Sequence, residues 1–345
     1  MIPWGELGRH LDEARAASEA GGGRIILATH VNADGDGLGS QAGLWHFLKH
    51  RGHDAHMINT DTVPERYGFI DGVESIAVYD QKRHRDMIRG AHLFIVLDNS
   101  SPERLGTLLP DVRESTAFRI CIDHHVTVDP FWQLNCIDTD AAASGQLVYE
   151  AIKALGGAIT APIAIALYAA FVTDTGHFRF PKTTPHVHRI IAELMEAGAI
   201  NPQRIYRAIY EGHSRALSRI VGHALSDAHY DYGGRFAWAR LTRRQLEECG
   251  GFEEDTGDLV NMLLAVKGVE AAALFKEMPE GLTKVSLRSL GDVDVNLLAS
   301  RFGGGGHRNA SGVLMTAPLE EGVRSIVEGM KETLGEPSVK PLGTR

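Results

Sequence analysis

Cysteine is scarce in this chain, and its spacing excludes the sites that depend on it. The 345 residues include three cysteines, Cys121, Cys136 and Cys249, and no pair has C-x-x-C spacing. An odd number of widely separated cysteines indicates reduced thiols in a cytoplasmic protein, not a disulfide framework. A structural zinc site, which usually relies on cysteine ligands, is disfavoured for the same reason.

The sequence also lacks long apolar runs and an excess of positive charge. The longest apolar run, residues 163–172, is about half as long as the roughly 20 residues that a membrane helix needs. The formal charge of −9 argues against a surface that follows the phosphates of a long duplex. We therefore expect no membrane contact and no long-duplex partner. A small phosphorylated substrate, held locally by cations, is compatible with this charge.

Apolar runs that alternate with helical patterns predict an α/β fold. "RIILAT" is followed by a glycine loop and a helical pattern, and "HLFIVLD" and "FRICID" are further apolar runs that end at Asp98 and Asp123. "APIAIALYAAFVTD" reads as a buried helix that ends at Asp174. Continuous apolar strands between helices predict a mostly parallel sheet with helices on both faces.

The pattern changes in the second half, which predicts two domains. We assign residues 1–205 to the parallel domain, 206–225 to a helical linker and 226–340 to a smaller, mixed α/β domain, with the active-site cleft between the domains. "HYDYGGRFAWARL" predicts a hairpin, and "VEAAALFKEMPEGLTKVSLRS" predicts two strands around a Pro-Glu-Gly turn.

Acidic and histidine residues follow the apolar runs of the first domain. The full set is His30, Asp34, Asp36, Asp98, Asp123, His124, His125 and Asp174. A single Asp at a strand end is ordinarily a turn or cap residue. In a parallel sheet, however, the carboxyl ends of the strands share one crevice. So many like charges in one place are costly unless cations neutralise them, and the set therefore predicts a metal site.

The donor types narrow the choice of metal. A calcium loop that began at Asp34 would need Glu at its twelfth position, where the chain has Trp45. Carboxylates mixed with imidazoles suit Mn²⁺, Mg²⁺, Co²⁺ or Fe²⁺. The number of carboxylates favours two ions that share a bridging Asp, an arrangement that clamps phosphate esters.

Several stretches of the chain resemble the DHH phosphoesterase superfamily. They are "THVNADGDGLGS", "VLDNSSPERLG", "CIDHHVTVDPF" and "FVTDTGHFRF", and the third contains the triplet Asp123-His124-His125 that gives the family its name. "VSLRS" and "GGGGHRNASG" are similar to the DHH-associated C-terminal domain. The resemblance covers nearly the whole chain in family order, and the size is most like that of the nanoRNase/pAp-phosphatase group.

The resemblance implies a role for each residue of the set. It divides the metal ligands between two ions: His30 and Asp34 for one, Asp36, His124 and Asp174 for the other, with Asp98 bridging. His125 and Asp123 are the implied catalytic pair, in which His125 faces the substrate phosphate and Asp123 orients an imidazole. Val128 departs from the family pattern, because many relatives have Asn there, and this leaves the local substrate contacts open.

The glycine run "FGGGGHRNASG" allows three interpretations. A flexible linker would have polar flanks, which this run lacks, and a Walker phosphate loop would need Gly-Lys-Ser/Thr after the glycines. The third is a glycine nest that approaches a ligand phosphate or carboxylate through its backbone N–H groups. The resemblance favours the nest and implies these substrate-binding residues: Arg288, Gly304, Gly305, Gly306 and His307.

The resemblance also implies an activity. It indicates a cytoplasmic exoribonuclease with two divalent ions, Mn²⁺ being expected and Mg²⁺ or Co²⁺ being alternatives. The implied substrates are RNA oligonucleotides of a few residues and small nucleotides, including 3′-phosphoadenosine 5′-phosphate (pAp), which would give AMP and phosphate. Three other functions stay open: a phosphodiesterase for c-di-AMP, pApA or pGpG, a RecJ-type single-strand exonuclease, and a non-catalytic nucleotide-binding protein. A homodimer is an open alternative to a monomer.

Overall fold

The computed structural model describes residues 2–18, 22–126, 128–211, 214–251, 256–257 and 259–335. The chain forms two compact units, Met1–Glu211 (unit 1) and Gly212–Arg345 (unit 2). In the described ranges, no helix combines the length and the apolar character needed to cross a bilayer.

Unit 1 is built on a six-stranded sheet whose strands are all parallel. The strands are β1 (Ile25–Ala28), β2 (Ala55–Asn59), β3 (Ala77–Val78), β4 (Leu93–Leu97), β5 (Phe118–Asp123) and β6 (Leu134–Ile137). Their order is β3-β2-β1-β4-β5-β6, so the chain reverses its direction of travel between β1 and β4. Such a reversal opens a crevice at the carboxyl ends of the two central strands. The predicted parallel sheet is confirmed.

Helices cover both faces of this sheet. They are α1 (Trp4–Ser18), α2 (Gly35–His50), α3 (Gln81–Arg89), α4 (Leu109–Glu114), α5 (Ser144–Ala154), α6 (Ala161–Asp174), α7 (Pro185–Gly198) and α8 (Pro202–Tyr210). Alternate residues of β1 enter different cores: Ile25 and Leu27 pack with α2 and α6, and Ile26 packs with α3 and α4. Because both faces are buried, β1 reads as a continuous apolar run.

Helices α2 and α6 are antiparallel. They pack closely because α2 carries glycines on the shared face. A Cβ at Gly39 would lie 2.3 Å from the Ala166 carbonyl oxygen, and one at Gly43 would lie 2.8 Å from Leu167 Cδ2. At the other end of the contact, Gly35 lies against Thr173. The start of α2 therefore meets the end of α6.

Unit 2 contains a mixed six-stranded sheet. Its strands are β7 (His229–Asp231), β8 (Phe236–Leu241), β9 (Ala271–Glu277), β10 (Thr283–Ser289), β11 (Gly305–His307) and β12 (Ala310–Met315). The order is β11-β12-β10-β9-β8-β7, with β8 and β9 parallel and the other pairs antiparallel. Its helices are α9 (Arg215–Ser226), α10 (Arg243–Cys249), α11 (Leu259–Leu264), α12 (Val295–Ser300) and α13 (Leu319–Leu334).

The predicted linker, residues 206–225, is divided between the two units. Its first part belongs to α8, whose Ile205 and Ile209 pack in the core of unit 1. Its second part belongs to α9, whose Ile220 and Ala224 pack in a core of unit 2. Residues 336–340, the predicted end of the second domain, lie outside the described residues.

The glycine run contains a short strand, β11. Gly305 and Gly306 pair with β12, and a Cβ at Gly304 would lie 2.3 Å from the Gly312 carbonyl oxygen. Because glycine has no side chain, this segment and β12 can approach each other closely. A glycine-rich sequence carries little strand propensity, which is why the pattern did not predict β11.

Candidate metal centre

The predicted ligands meet at the carboxyl ends of β1, β4 and β5. His30 follows β1, Asp98 follows β4, and Asp123 is the last residue of β5. The packing of α2 on α6 adds the side chains of Asp36 and Asp174. A crevice formed by the strand order thus collects residues that lie far apart in the sequence.

One triad comprises His30, Asp34 and Asp98, whose ligand atoms lie within 4.8 Å of one another. His30 Nε2 is 3.4 Å from Asp98 Oδ2, and His30 Nδ1 is 2.8 Å from the carbonyl oxygen of Val31. When Nδ1 carries the hydrogen and donates it to Val31, Nε2 presents its lone pair to a cation. Asp34 is also the N-cap of α2, where its Oδ1 accepts from two backbone N–H groups.

A second triad comprises Asp36, His124 and Asp174, again with ligand atoms within 4.8 Å. His124 Nε2 is 3.2 Å from Asp174 Oδ2 and 3.8 Å from Asp36 Oδ2. The same nitrogen is 3.6 Å from Asp98 Oδ1. Asp98 therefore faces His30 with one carboxylate oxygen and His124 with the other, as a bridging ligand would.

The first two N–H groups of α5 hold Asp36. Ser144 N–H donates to Asp36 Oδ2 at 2.6 Å, and Gly145 N–H donates to Oδ1 at 2.9 Å. Ser144 Oγ also donates to Asp98 Oδ1 at 3.0 Å. These donors at a helix N-terminus favour negative charge, so they orient the two carboxylates that the triads need.

Asp123 contacts the two histidines that follow it. Its Oδ1 accepts from His125 Nδ1 at 2.6 Å and from the backbone N–H of His124 at 2.8 Å. Burial raises the pKa of Asp123, but the hydrogen bond and charge of His125 outweigh it and hold the pKa below its usual value. Asp123 therefore stays ionised and orients the His125 ring.

Burial and mutual repulsion dominate the electrostatics of the centre. Burial, with further contributions from neighbouring carboxylates, raises the pKa of Asp98 and Asp174 well above the usual value. Burial also raises the pKa of Asp36. For His30, burial and then the Arg104 guanidinium lower the pKa, which favours the neutral ring that binds metals. Added positive charge would relieve the repulsion.

The residues of the centre fit divalent cations. The two triads supply carboxylate oxygen and imidazole nitrogen donors, their ligand atoms are already grouped, and Asp98 of the first triad also faces His124 of the second. Hard-to-borderline ions such as Mn²⁺ and Mg²⁺ accept this mixture of donors. The sequence patterns predicted every member of the two triads, and the structure brings all of them together.

Two contributors to the centre escaped the sequence analysis. Ser144 lies in "AAASGQ" and acts partly through its backbone N–H, which leaves no trace in the sequence beyond a small residue at a helix start. Arg104, whose Nη2 is 2.9 Å from His30 Nδ1, lies in the quoted stretch "VLDNSSPERLG". A basic residue six positions after Asp98 was the available signal.

Two of the predicted substrate-binding residues of unit 2, Arg288 and His307, lie on the strands on either side of β12. In the strand register, Arg288 of β10 and His307 of β11 both pair with Ala310 of β12, so they flank it on one face. Arg288 Nη1 donates to the Leu287 carbonyl oxygen at 2.9 Å.

Comparisons with known proteins agree with this organisation. The DHH family N-terminal domain matches residues 24–171, and the DHHA1 domain matches residues 233–336. The bifunctional oligoribonuclease and PAP phosphatase NrnA of Thermus thermophilus is 33% identical over 90% of both chains. The structure of an exopolyphosphatase-related protein from Bacteroides fragilis is 28% identical, with a TM-score of 0.88 over 94% of this chain and 96% of that chain.

A more distant structure shares the fold alone. RecJ of Thermus thermophilus, solved in complex with Mn²⁺, is 14% identical, with a TM-score of 0.54 over 95% of this chain and 55% of that chain. The predicted resemblance is thus confirmed by both domain matches and by a relative of nearly equal extent. The chain belongs to the DHH phosphoesterase family and is a hydrolase of phosphate esters.

Proposed function

We propose that the protein is a two-metal exoribonuclease that degrades very short RNA oligonucleotides to mononucleotides and converts pAp to AMP and phosphate. The observation that carries the proposal is the pair of neighbouring His/Asp triads, with Asp98 of the first triad also facing His124 of the second. The relative from Thermus thermophilus, which bears both activities in its name, supports the choice of substrates.

In this proposal, each triad would hold one divalent ion, and Asp98, which faces a histidine of each triad, would be a ligand common to both. Mn²⁺ is the expected ion, and the RecJ complex with Mn²⁺ supports it because that protein shares the fold. When bound, the two ions supply Lewis acidity toward the phosphate and lower the pKa of water.

The chain's own residues position the reacting groups. His125, held through Nδ1 by Asp123, presents its other ring nitrogen to a phosphate oxygen. Ser144 and the start of α5 keep Asp36 and Asp98 in place as charge develops. In unit 2, Arg288, His307 and the glycines at 304–306 capture a phosphate at the end of a short substrate, for which a planar guanidinium is well suited.

A substrate panel tests the proposal. We expect the full-length protein with Mn²⁺ to release mononucleotides from RNA di- to pentanucleotides and phosphate from pAp, and chelation by EDTA to stop both reactions. Cyclic di-AMP, pApA, pGpG and a long single strand in the same panel test the rival phosphodiesterase and RecJ-type activities. Failure to cleave any RNA oligonucleotide and pAp, with cleavage of a rival substrate, would refute the proposal.

A further inference from the structure

The chain makes an unusual turn directly after Asp174. Gly176, His177 and Phe178 adopt three successive left-handed conformations, with φ of 56°, 60° and 64°. Such conformations are unfavourable for residues with a side chain, and they persist only where the surroundings hold them. Here His177 N–H donates to the Val172 carbonyl oxygen at 2.8 Å, and Phe178 N–H donates to Thr175 Oγ1 at 2.9 Å.

The turn gives its two rings different surroundings. Phe178 is half-buried, packs against the core of unit 1 and meets Tyr168 edge-on, with ring centroids 6.1 Å apart. His177 is exposed and meets Tyr206 of α8 edge-on, with centroids 5.0 Å apart and an interplanar angle of 84°. The left-handed turn therefore packs Phe178 against the core and leaves His177 exposed.

Tyr206 differs from its neighbour Tyr210, one helical turn further along α8. Tyr210 packs against the core and donates its hydroxyl hydrogen to the Val172 carbonyl oxygen at 3.1 Å, so it holds α8 to α6. Tyr206 is 38% exposed, whereas Tyr210 is half-buried. Tyr210 and the buried isoleucines therefore hold α8 against unit 1. The exposed surface of Tyr206 is not needed for that attachment.

In the His177–Tyr206 pair, His177 lies close to the metal centre along the chain. His177 is three residues beyond Asp174, a chain length of at most about 11 Å. Helix α8 also contacts the 3-10 turn Glu65–Tyr67. The Tyr67 ring lies against Gly35, the residue that follows Asp34: its Cε1 is 2.9 Å from the position that a Cβ on Gly35 would occupy. The exposed pair therefore lies partly on the turn that follows Asp174 of one triad and partly on a helix that reaches the residue after Asp34 of the other triad through the Glu65–Tyr67 turn.

We propose that His177 and Tyr206 form a stacking site for a nucleobase of the substrate whose phosphate is at the metal centre; this inference rests on the proposed function. Aromatic and imidazole rings stack on any base, since every base has a π face, so such a site binds short RNA without regard to sequence. The pair also adds no negative charge beside a phosphate.

Three variants test the site while they preserve the fold. Tyr206→Ala removes an exposed ring, Tyr206→Phe keeps the ring without its hydroxyl, and His177→Asn removes the imidazole with a residue that tolerates left-handed backbone. We expect KM for an RNA dinucleotide to rise about 5- to 100-fold in the Ala and Asn variants, with kcat within about twofold of the wild type, and Tyr206→Phe to retain low KM. His50→Asn, an exposed histidine at the opposite end of α2, is the matched control.

Binding of 2-aminopurine riboside 5′-monophosphate with Mn²⁺ gives a second readout that needs no turnover. Stacking quenches 2-aminopurine fluorescence, so we expect quenching by the wild type and by Tyr206→Phe and its loss in Tyr206→Ala. Quenching without hydrolysis of any RNA oligonucleotide or pAp would refute the proposed function and still support stacking. Hydrolysis with unchanged KM and unchanged quenching in the Ala and Asn variants would overturn the stacking site.

Discussion

At the scale of single residues, Asp98 has the most demanding position in the centre. It is 3% exposed, faces an imidazole with each carboxylate oxygen, and adopts a left-handed backbone with φ of 57°. A left-handed residue costs on the order of 1 kcal/mol, and less for Asp than for most side chains. Because burial and neighbouring carboxylates raise its pKa, the ionised form of Asp98 is disfavoured in the metal-free protein.

Replacement of the Asp98 carboxylate is expected to lower activity and to raise the stability of the metal-free protein. We expect Asp98→Asn to lower kcat by on the order of 10³-fold, because a bridge between the two ions is lost. In EDTA near neutral pH, the same variant is expected to raise Tm by about 2–4 °C, the equivalent of about 1 kcal/mol in a protein of this size. Differential scanning calorimetry with EDTA and with Mn²⁺ measures the change in Tm, and hydrolysis of an RNA dinucleotide measures kcat.

The direction of the expected change in Tm follows from proton linkage. A raised folded-state pKa means that the folded protein binds protons more tightly than the unfolded chain, so stability falls as pH rises from the unfolded pKa through the folded one. Near neutral pH, the neutral Asn escapes this penalty. Asp71→Asn, whose side chain is 60% exposed, is the control and is expected to change neither quantity. Full activity of Asp98→Asn would contradict the assignment of the bridge.

At the scale of elements, the glycines of α2 set the distance between this helix and α6. The close contact of Gly39 with the Ala166 carbonyl oxygen brings the two helices together, and Gly35 at the start of α2 lies against Thr173 near the end of α6. Asp36 and Asp174 belong to one triad but to these different helices. The separation of the helices is therefore part of the geometry of the centre.

A methyl group at this contact is expected to disturb both stability and activity. Gly39→Ala places its Cβ 2.3 Å from a backbone oxygen, which the helices relieve only by moving apart. We expect a loss of about 1–3 kcal/mol in the free energy of unfolding, measured by urea titration, and weaker Mn²⁺ binding.

A glycine elsewhere supplies the matched control. Gly5 lies in α1, and nothing lies within 4 Å of the position that a Cβ would occupy there. Gly5→Ala is therefore expected to leave stability unchanged or raise it by up to about 1 kcal/mol. Equal stability of the two variants would show that the α2–α6 contact tolerates wider spacing.

How far the sequence predicts these elements depends on how each one is stabilised. β1, β4 and β5 are apolar runs that end in or lead into His or Asp, so the sequence predicts both the strands and the metal-binding residues at their ends. β11 was missed because backbone pairing, not side-chain packing, forms it. The sequence pattern places Tyr206 at the start of a linker between the domains. In the structure Tyr206 lies on α8, whose Ile205 and Ile209 pack in the core of unit 1.

At the scale of the whole molecule, the two units have separate cores. Unit 1 has one core on each face of its parallel sheet, and unit 2 has one on each face of its mixed sheet. All members of both triads belong to unit 1. Binding of metal ions should therefore stabilise one unit selectively.

Hydrogen exchange of the full-length protein measures this selectivity. At a Mn²⁺ concentration about 100-fold above Kd, we expect amide exchange around β1, β4 and α2 to slow by up to about 100-fold, the equivalent of about 2.7 kcal/mol. Exchange in β8 and β9 is expected to stay unchanged, as is exchange of the Asp98→Asn protein throughout. Slowing confined to unit 2 would contradict a metal centre in unit 1.

The reversal of strand order between β1 and β4 has an evolutionary consequence. The crevice it opens comes from the path of the backbone, so it survives the exchange of any carboxylate that lines it. A descendant could thus lose hydrolysis through a few substitutions and keep the crevice at the ends of β1 and β4. A homologue that retains the apolar strands but lacks the equivalent of Asp98 is therefore expected to bind ligands there without hydrolysing them.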